Sequence, residues 1–401
     1  MSLNNKKILI QGAGRGHLGL ISTCKKLGIK TIVTGLKGNF PCIPLADKFV
    51  ECDIKDKESV LRIAEQEEID GIIICCSDTG LETVGYVNDK LGLKGITEDA
   101  AKLCSDKLKM KERLVANGVR TARYFPIKNK TDLKNAVNSL EFPLILKATD
   151  LQGSRGIFIV NNASELNDAY DEVCKLTSKP YCVLEEFITG KEFGAQAFIS
   201  NGKILFVLPH GDEVIKCETN VPIGHYMPYD ISSDLMKEIY KQVSRAVNAL
   251  GINNCAVNVD LIERDGKVYI IELTGRVGAN CLPELTSNYF DIDYYEMILE
   301  EILGGDPKAL FDQSQARIAT KSKMIKSEKS GIVKSISLNV PDNSAVTLFI
   351  KKGDQIRTFR NSNDAIGQII TKGKTLNECD KNLEIALANI KIEISDDIAS
   401  N

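Results

Sequence analysis

From Lys7 to Ile74 short apolar runs alternate with amphipathic stretches, and this alternation restricts the possible folds more than any other feature of the chain. Lys7-Ile8-Leu9-Ile10, Thr31-Ile32-Val33-Thr34, Lys48-Phe49-Val50 and Gly71-Ile72-Ile73-Ile74 read as strands, and Leu18 to Leu27 and Ser59 to Glu67 as helices between them. Strands joined through helices run parallel, so the pattern predicts a doubly wound unit ending near residue 95. Thr97 then caps a polar helix, and Ser105-Asp106-Lys107 opens another that stops at Asn117-Gly118.

From Phe142 the pattern changes to hairpins. Leu144 to Ala148 and Ile157 to Val160 flank the loop Gln152-Gly153-Ser154-Arg155-Gly156; a helix from Glu165 to Leu176 leads to a strand, Tyr181 to Glu185. Antiparallel strands at Phe193 to Ile199 and Lys203 to Leu208 precede a helix from Ser233 to Leu250. The end of the chain is β-rich, with strands at Gly331 to Leu338, Val346 to Ile350 and Gly367 to Thr371 and a helix from about Thr375. Asp306 to Gln315 reads as a linker.

Composition narrows the chemistry. The 401 residues carry 51 Lys and Arg against 54 Asp and Glu, a net charge of −3, so no general pull toward nucleic acid or anionic membrane is expected. Only three histidines occur (His17, His210, His225), none at metal-site spacing, which argues against a His-rich zinc centre and for a hard ion held by carboxylates. The 12 cysteines include no C-x-x-C and mostly sit in apolar runs, as reduced, buried thiols do. With no leader pattern and no run long enough to span a membrane, a cytoplasmic protein is expected.

Three constellations carry possible chemistry. The opening loop Gly12-Ala13-Gly14-Arg15-Gly16-His17 follows a strand and starts a helix, but the next strand ends Thr34-Gly35-Leu36 without the acidic residue a dinucleotide site needs. A structural turn or a substrate contact remains. In the second loop, Gly153-Ser154-Arg155-Gly156 beside Lys147 could fold over a triphosphate, though an exposed hairpin with a snorkelling lysine accounts for the same residues.

The third constellation is the pair Asn258-Val259-Asp260-Leu261-Ile262 and Tyr269-Ile270-Ile271-Glu272-Leu273-Thr274. A three-residue hairpin loop ending in Gly266 would set Glu263 opposite Lys267, Asp260 opposite Ile270 and Asn258 opposite Glu272. Asn258, Asp260, Glu272 and Thr274 then share one face, with the carboxylates diagonal at about 7–8 Å, a spacing that suits Mg²⁺ carrying phosphate. A two-residue loop would put Asp260 and Glu272 on opposite faces. Arg276, just past the strand, could pair with a substrate carboxylate or a forming phosphate, or be an ordinary surface arginine.

In this order and spacing, these residues resemble the ATP-grasp superfamily over roughly residues 5–395. The resemblance implies mixed α/β and α+β architecture: a Rossmann-like domain at 1–96, an ATP-grasp fold at 97–310 (lid subdomain about 121–188, large subdomain about 189–310) and a β-rich domain at 316–401. It implies that Lys107 and Lys147 touch ATP phosphates and that Gly153, Ser154, Arg155 and Gly156 form a mobile lid. Glu185 and the backbone of Glu186 and Ile188 would face adenine, Glu192 would take the ribose hydroxyls, and Asp260 and Glu272 would hold Mg²⁺ or Mn²⁺.

Thr274 stands where the family usually has a metal-binding Asn, and Val277-Gly278-Ala279-Asn280 replaces the Gln-Val-Glu-His segment of biotin carboxylases. Gly-Ala-Asn-x-x-Pro-Glu-Leu is similar to amino-acid ligases. The implied activity is an ADP-forming carboxylate–amine ligase working through an acyl phosphate, with Lys147 and Arg276 as catalytic cations. Its partners would be a small-molecule carboxylate and an amine, and a homodimer is a family-level expectation. Two alternatives stand beside it: a phosphoribosylamine–glycine ligase-like or carboxylating enzyme, and an ATP-binding regulator without turnover.

Overall fold

The computed structural model describes residues 3–153, 155–216, 220–312 and 317–395. The chain forms two compact units, Met1–Leu208 with Ile231–Gly278 and Tyr295–Ala309, and Pro209–Asp230 with Ala279–Tyr294 and Leu310–Asn401.

The first unit contains the parallel sheet read from the sequence. Its order is Lys48–Glu51, Lys30–Gly35, Lys7–Gln11, Gly71–Ile73, with all pairs parallel. The inner strands are apolar on both faces; Ile8, Leu9, Ile10 and Val33 are fully buried, as a sheet covered by crossover helices requires. Thr97 and Asp106 cap the helices Glu98–Cys104 and Lys107–Ala116 by accepting N–H bonds from Ala100 and from Leu108 and Lys109. The helices Leu81–Leu91 and Lys130–Val137 and the strand Tyr124–Ile127 were not legible in the sequence.

A second, antiparallel sheet follows the order Tyr124–Ile127, Cys182–Glu186, Leu144–Ala148, Ile157–Val160. The helices Lys130–Val137 and Ala163–Leu176 cover it, burying Leu133, Leu166, Tyr170 and Val173 against Leu144, Leu146 and Leu184. In the third sheet Lys267–Thr274 pairs with Cys255–Arg264, which pairs with Lys191–Ser200.

The second unit is built on strands Asn220–Met227, Ala319–Ile325, Gly367–Gly373 and Ser344–Leu348, each pairing antiparallel with the next. A small sheet of Gln355–Ile356, Gly331–Leu338 and Ile390–Ser395 closes over Ile325, Ile369 and Leu383. Thr375 caps the helix Leu376–Ala388. Within the expected linker, Pro307–Leu310 forms a 3-10 turn, and residues 313–315 lie outside the described residues. Among the described residues every cysteine is free, and no helix is long and apolar enough to cross a membrane.

Packing explains the opening glycine loop. Gly12 adopts φ 101°, and a Cβ there would stand 3.1 Å from His17 Cε1; a Cβ on Gly16 would meet Cys76 Cβ at 2.6 Å. His17 is buried and its Nε2 accepts the Cys75 N–H at 3.2 Å. Burial, outweighing hydrogen bonds to the backbone of Gly14 and Gln11, lowers the His17 pKa to about 4.

An imidazole that titrates near 6.5 unfolded and near 4 folded binds its proton more readily in the unfolded chain. Its contribution is complete above about pH 6.5 and falls as the pH drops toward 4. Between pH 7 and pH 5 the wild type therefore loses about 2 kcal/mol that His17→Gln does not lose, read as the difference between their urea midpoints. Equal pH dependence in the two proteins would refute a neutral, buried His17.

Candidate active site

The hairpin that carries the paired carboxylates departs from the expected register. Its loop has two residues, Asp265 and Gly266, both left-handed (φ 54° and 72°), and Arg264 pairs with Lys267. Such a loop alone would turn Glu272 into the core. A bulge between Asp260 and Leu261 on one strand, which leaves Ile271 as the extra residue on the other, restores the parity.

Asp260 thus stands directly opposite Glu272, not Ile270, and Asn258 opposite Thr274, not Glu272. All four residues share one face, while Val259, Leu261, Ile270 and Leu273 are buried on the other. Direct cross-strand partners have Cβ atoms about 4.5–5.5 Å apart, closer than the diagonal expected.

The next strand extends the row. Gly194 lies opposite Asp260 and leaves its flank open, and Gln196 lies opposite Asn258. Gln196 Nε2 donates to Asn258 Oδ1 at 2.6 Å, and Gln196 Oε1 accepts the Gly278 N–H at 3.0 Å. Glu192, exposed, is on this same face opposite Ile262. Beside it Ile188, Ala122 and Ile262 form an apolar patch joined by Tyr269 and by the bulged Ile271.

Two lysines approach from the other elements. The Asp106 cap fixes Lys107 as the first helical residue, and its Nζ donates to Glu272 Oε1 at 3.2 Å and to the Leu151 carbonyl at 2.8 Å. Burial lowers the Lys107 pKa, but Glu272 and Asp78 outweigh it and the net shift is upward, so the ammonium is retained. Lys147, at the end of its apolar strand, donates to Glu185 Oε2 at 3.1 Å.

A second cation at Glu185 was missed in the sequence. Lys111 Nζ lies 3.1 Å from the same Glu185 Oε2 and donates to Thr121 Oγ1 at 2.8 Å. It occupies the buried stripe Leu108–Lys111–Leu114 of its helix, and a charge in an apolar stripe was the available signal. Burial raises the Glu185 pKa but the two lysines together outweigh it, so the net shift is downward and the carboxylate stays ionised; burial and the like charge of Lys147 pull Lys111 down despite Glu185. Glu185 Oε1 is buried with no hydrogen-bond partner among the described residues.

Arg276 and Thr274 converge on Asp78. Arg276 Nε and NH2 clasp the two Asp78 oxygens at 2.7 and 2.9 Å, NH1 donates to the Val277 carbonyl at 3.1 Å, and Thr274 Oγ1 donates to Asp78 Oδ1 at 2.8 Å. Burial opposes both charges, yet each partner holds the other ionised: Asp78 lies below the usual carboxylate range and Arg276 above its ordinary value. The Thr274 hydroxyl is thus committed to Asp78 rather than turned to the Asp260–Glu272 pair. Three of the five guanidinium N–H donors are used in these contacts, leaving two for a ligand.

In the glycine loop, Gly153 and Gly156 are left-handed (φ 64° and 67°), and the Gly156 carbonyl accepts the Ala148 N–H at 2.8 Å. Arg155 Nε donates to the Gln152 carbonyl, and Gln152 Oε1 accepts the Asp78 N–H at 3.3 Å, bringing the loop to the Arg276 clasp. Ser154 lies outside the described residues. The Glu186 N–H donates to the Arg123 carbonyl, and the Glu186 carboxylate takes the Arg123 N–H and Nε.

Comparison with known proteins accounts for this arrangement. A family model described as an ATP-grasp domain matches residues 140–284, and one described as L-amino acid ligase C-terminal domain 2 matches residues 324–395. The crystal structure of phosphoribosylglycinamide synthetase from Anaerococcus prevotii is 45% identical, with a TM-score of 0.86 over 98% of this chain and 100% of that one. That of an L-amino acid ligase from Bacillus licheniformis is 20% identical, with a TM-score of 0.80 over 98% of this chain and 100% of that one.

The carbamoyl phosphate synthase large chain of Clostridium beijerinckii is 23% identical over 330 residues, 77% of this chain; the chain spans only 30% of that relative's length. With the parallel N-terminal sheet, the antiparallel sheets and the small C-terminal sheet in place, the chain belongs to the ATP-grasp superfamily, in its carboxylate–amine ligase family.

Proposed function

We propose that the protein is an ADP-forming ligase that joins the carboxylate of one small molecule, of the amino-acid type, to the amine of another. The observation that carries this reading is the placing of Asp260 directly opposite Glu272 on an open sheet face, with the Lys107 ammonium on Glu272. The donor set fits a hard dication: two facing carboxylates, and a Glu272 that already binds a cation. Glu185 Oε1, buried without a partner, fits a nucleotide's amino group.

In this reading Asp260 and Glu272 would hold Mg²⁺ or Mn²⁺, which supplies charge neutralisation for ATP phosphates. Lys107 and Lys147 contact phosphate oxygens, and Gly153, Arg155 and Gly156 cover them. Ile188, Ile262 and Ile271 give adenine an apolar seat, Glu185 and the Glu186 carbonyl meet its edge, and Glu192 takes the ribose hydroxyls.

A substrate carboxylate oxygen attacks the γ-phosphorus as the bond to ADP breaks, giving an acyl phosphate; the amine then attacks the acyl carbon, loses a proton and expels phosphate. Arg276, oriented by Asp78, offers its two remaining N–H donors to the charge that develops. No nucleophilic side chain is required. The match of residues 324–395 to an L-amino acid ligase domain supports amino acids as substrates.

One observation favours a second reading, the 45% identity to a phosphoribosylglycinamide synthetase, and it predicts phosphoribosylamine and glycine as the pair. Phosphate release measured over a matrix of amino-acid pairs, with phosphoribosylamine plus glycine and bicarbonate as separate arms, decides between them. ADP formed from a pair of amino acids, and only when both members are present, supports the proposal. Turnover confined to phosphoribosylamine and glycine, or ATP bound without ADP in every arm, overturns it.

A further inference from the structure

The second unit contains a cluster that the ligase chemistry does not use. His210 and Asp212 are two apart on the strand Lys203–Lys216, so they share a face, and Asp212 pairs directly with His225 on the neighbouring strand Asn220–Met227. Both rings turn to one oxygen: His210 Nδ1 is 3.0 Å and His225 Nδ1 2.6 Å from Asp212 Oδ1. The rings lie edge to face, with centroids 5.3 Å apart. Both histidines are buried, and one ligand atom from each of the three residues lies within 4.8 Å of the others.

Among the described residues the two imidazoles are the only basic groups facing Asp212, because Lys321 and Lys323 pair with Glu213, which points to the other face. A largely buried carboxylate needs partners, and both rings supply theirs to the same Asp212 oxygen.

We propose that His210, Asp212 and His225 bind one first-row transition-metal dication, of the Zn²⁺ type, in a site separate from the Asp260–Glu272 pair. Two imidazole nitrogens and one carboxylate oxygen form a donor set that suits Zn²⁺ and not Mg²⁺, which prefers oxygen ligands and water. Moving each ring proton from Nδ1 to Nε2 presents both Nδ1 lone pairs to the ion. Spacing along the chain argued against a His-rich zinc centre, yet strand pairing brings His210 and His225 to one carboxylate. Separation along the chain hid a cross-strand pair, and His210-Gly211-Asp212 was the legible half.

The test uses the full chain stripped of metal, then dialysed against Zn²⁺ or Co²⁺ in millimolar Mg²⁺. The wild type is expected to retain one more equivalent of Zn²⁺ than His210→Ala/His225→Ala, with a Co²⁺ spectrum free of thiolate charge-transfer bands. The near-isosteric Asp212→Asn, whose fold is checked by circular dichroism without metal, weakens binding at least about tenfold. Equal Zn²⁺ content in wild type and double variant, a thiolate-type Co²⁺ spectrum, or unchanged affinity in Asp212→Asn overturns the proposal.

Discussion

Replacing Glu272 with Gln lowers kcat/KM for ADP release at least about 100-fold, close to 3 kcal/mol of lost transition-state stabilisation, and Asp260→Asn does nearly the same. Both substitutions keep side-chain volume and remove only the negative charge that faces the other strand. Glu272→Gln also reduces the ion pair that holds Lys107 at 3.2 Å to a neutral hydrogen bond, so the ammonium is held less firmly as the proposed metal ligand loses its charge.

The two variants are expected to need far more Mg²⁺ for half-maximal rate, and their urea midpoints stay near that of the wild type because Asp260 is exposed and Glu272 only half-buried. Wild-type turnover at unchanged Mg²⁺ in either variant would remove the carboxylate pair from the reaction.

Glu185→Gln acts on stability first. It leaves the ammoniums of Lys111 and Lys147 buried beside each other with no countercharge, and breaking a buried ion pair from one side costs about 3–5 kcal/mol. Removing the charge on the other side as well reverses much of this: Glu185→Gln with Lys111→Met should recover a large part of the lost stability, a coupling read by a double-mutant cycle. Nucleotide affinity separates the roles, because the double variant regains its fold but not the carboxylate that the proposed function sets at the adenine edge. If Glu185→Gln costs no more than an ordinary surface substitution, about 0.5 kcal/mol, the cluster is not the electrostatic centre described above.

What the sequence made legible was local. The period of the apolar runs marked the parallel strands around Ile8 to Ile10, and the side chains of Thr97, Asp106 and Thr375 marked helix starts because capping depends on residues within one turn. The residues of the carboxylate face were readable as a set, but their partners were not. Nothing in the β-branched run Ile270-Ile271 distinguishes a regular strand from a bulged one, and the choice is made by packing against Ile188 and Ile262.

The same limit applies to Asp78, whose hold on Arg276 and Thr274 joins residues nearly two hundred positions apart, and to Lys111, whose partner Glu185 lies on another element. For Arg276 the sequence left a fixed guanidinium and an ordinary surface arginine side by side, and only the coordinates name Asp78 as the group that holds it.

The extra residue at position 271 separates the hairpin tip from the carboxylates. The face that Asp260 presents is set where Cys255–Arg264 runs beside Lys191–Ser200, and the bulge adjusts Glu272 to it downstream of the turn. The exposed Asp265-Gly266 tip is therefore free to change length without moving the paired acids. A short foreign peptide spliced there, carrying a fluorophore or an affinity handle, would give a labelled protein whose catalytic face is undisturbed.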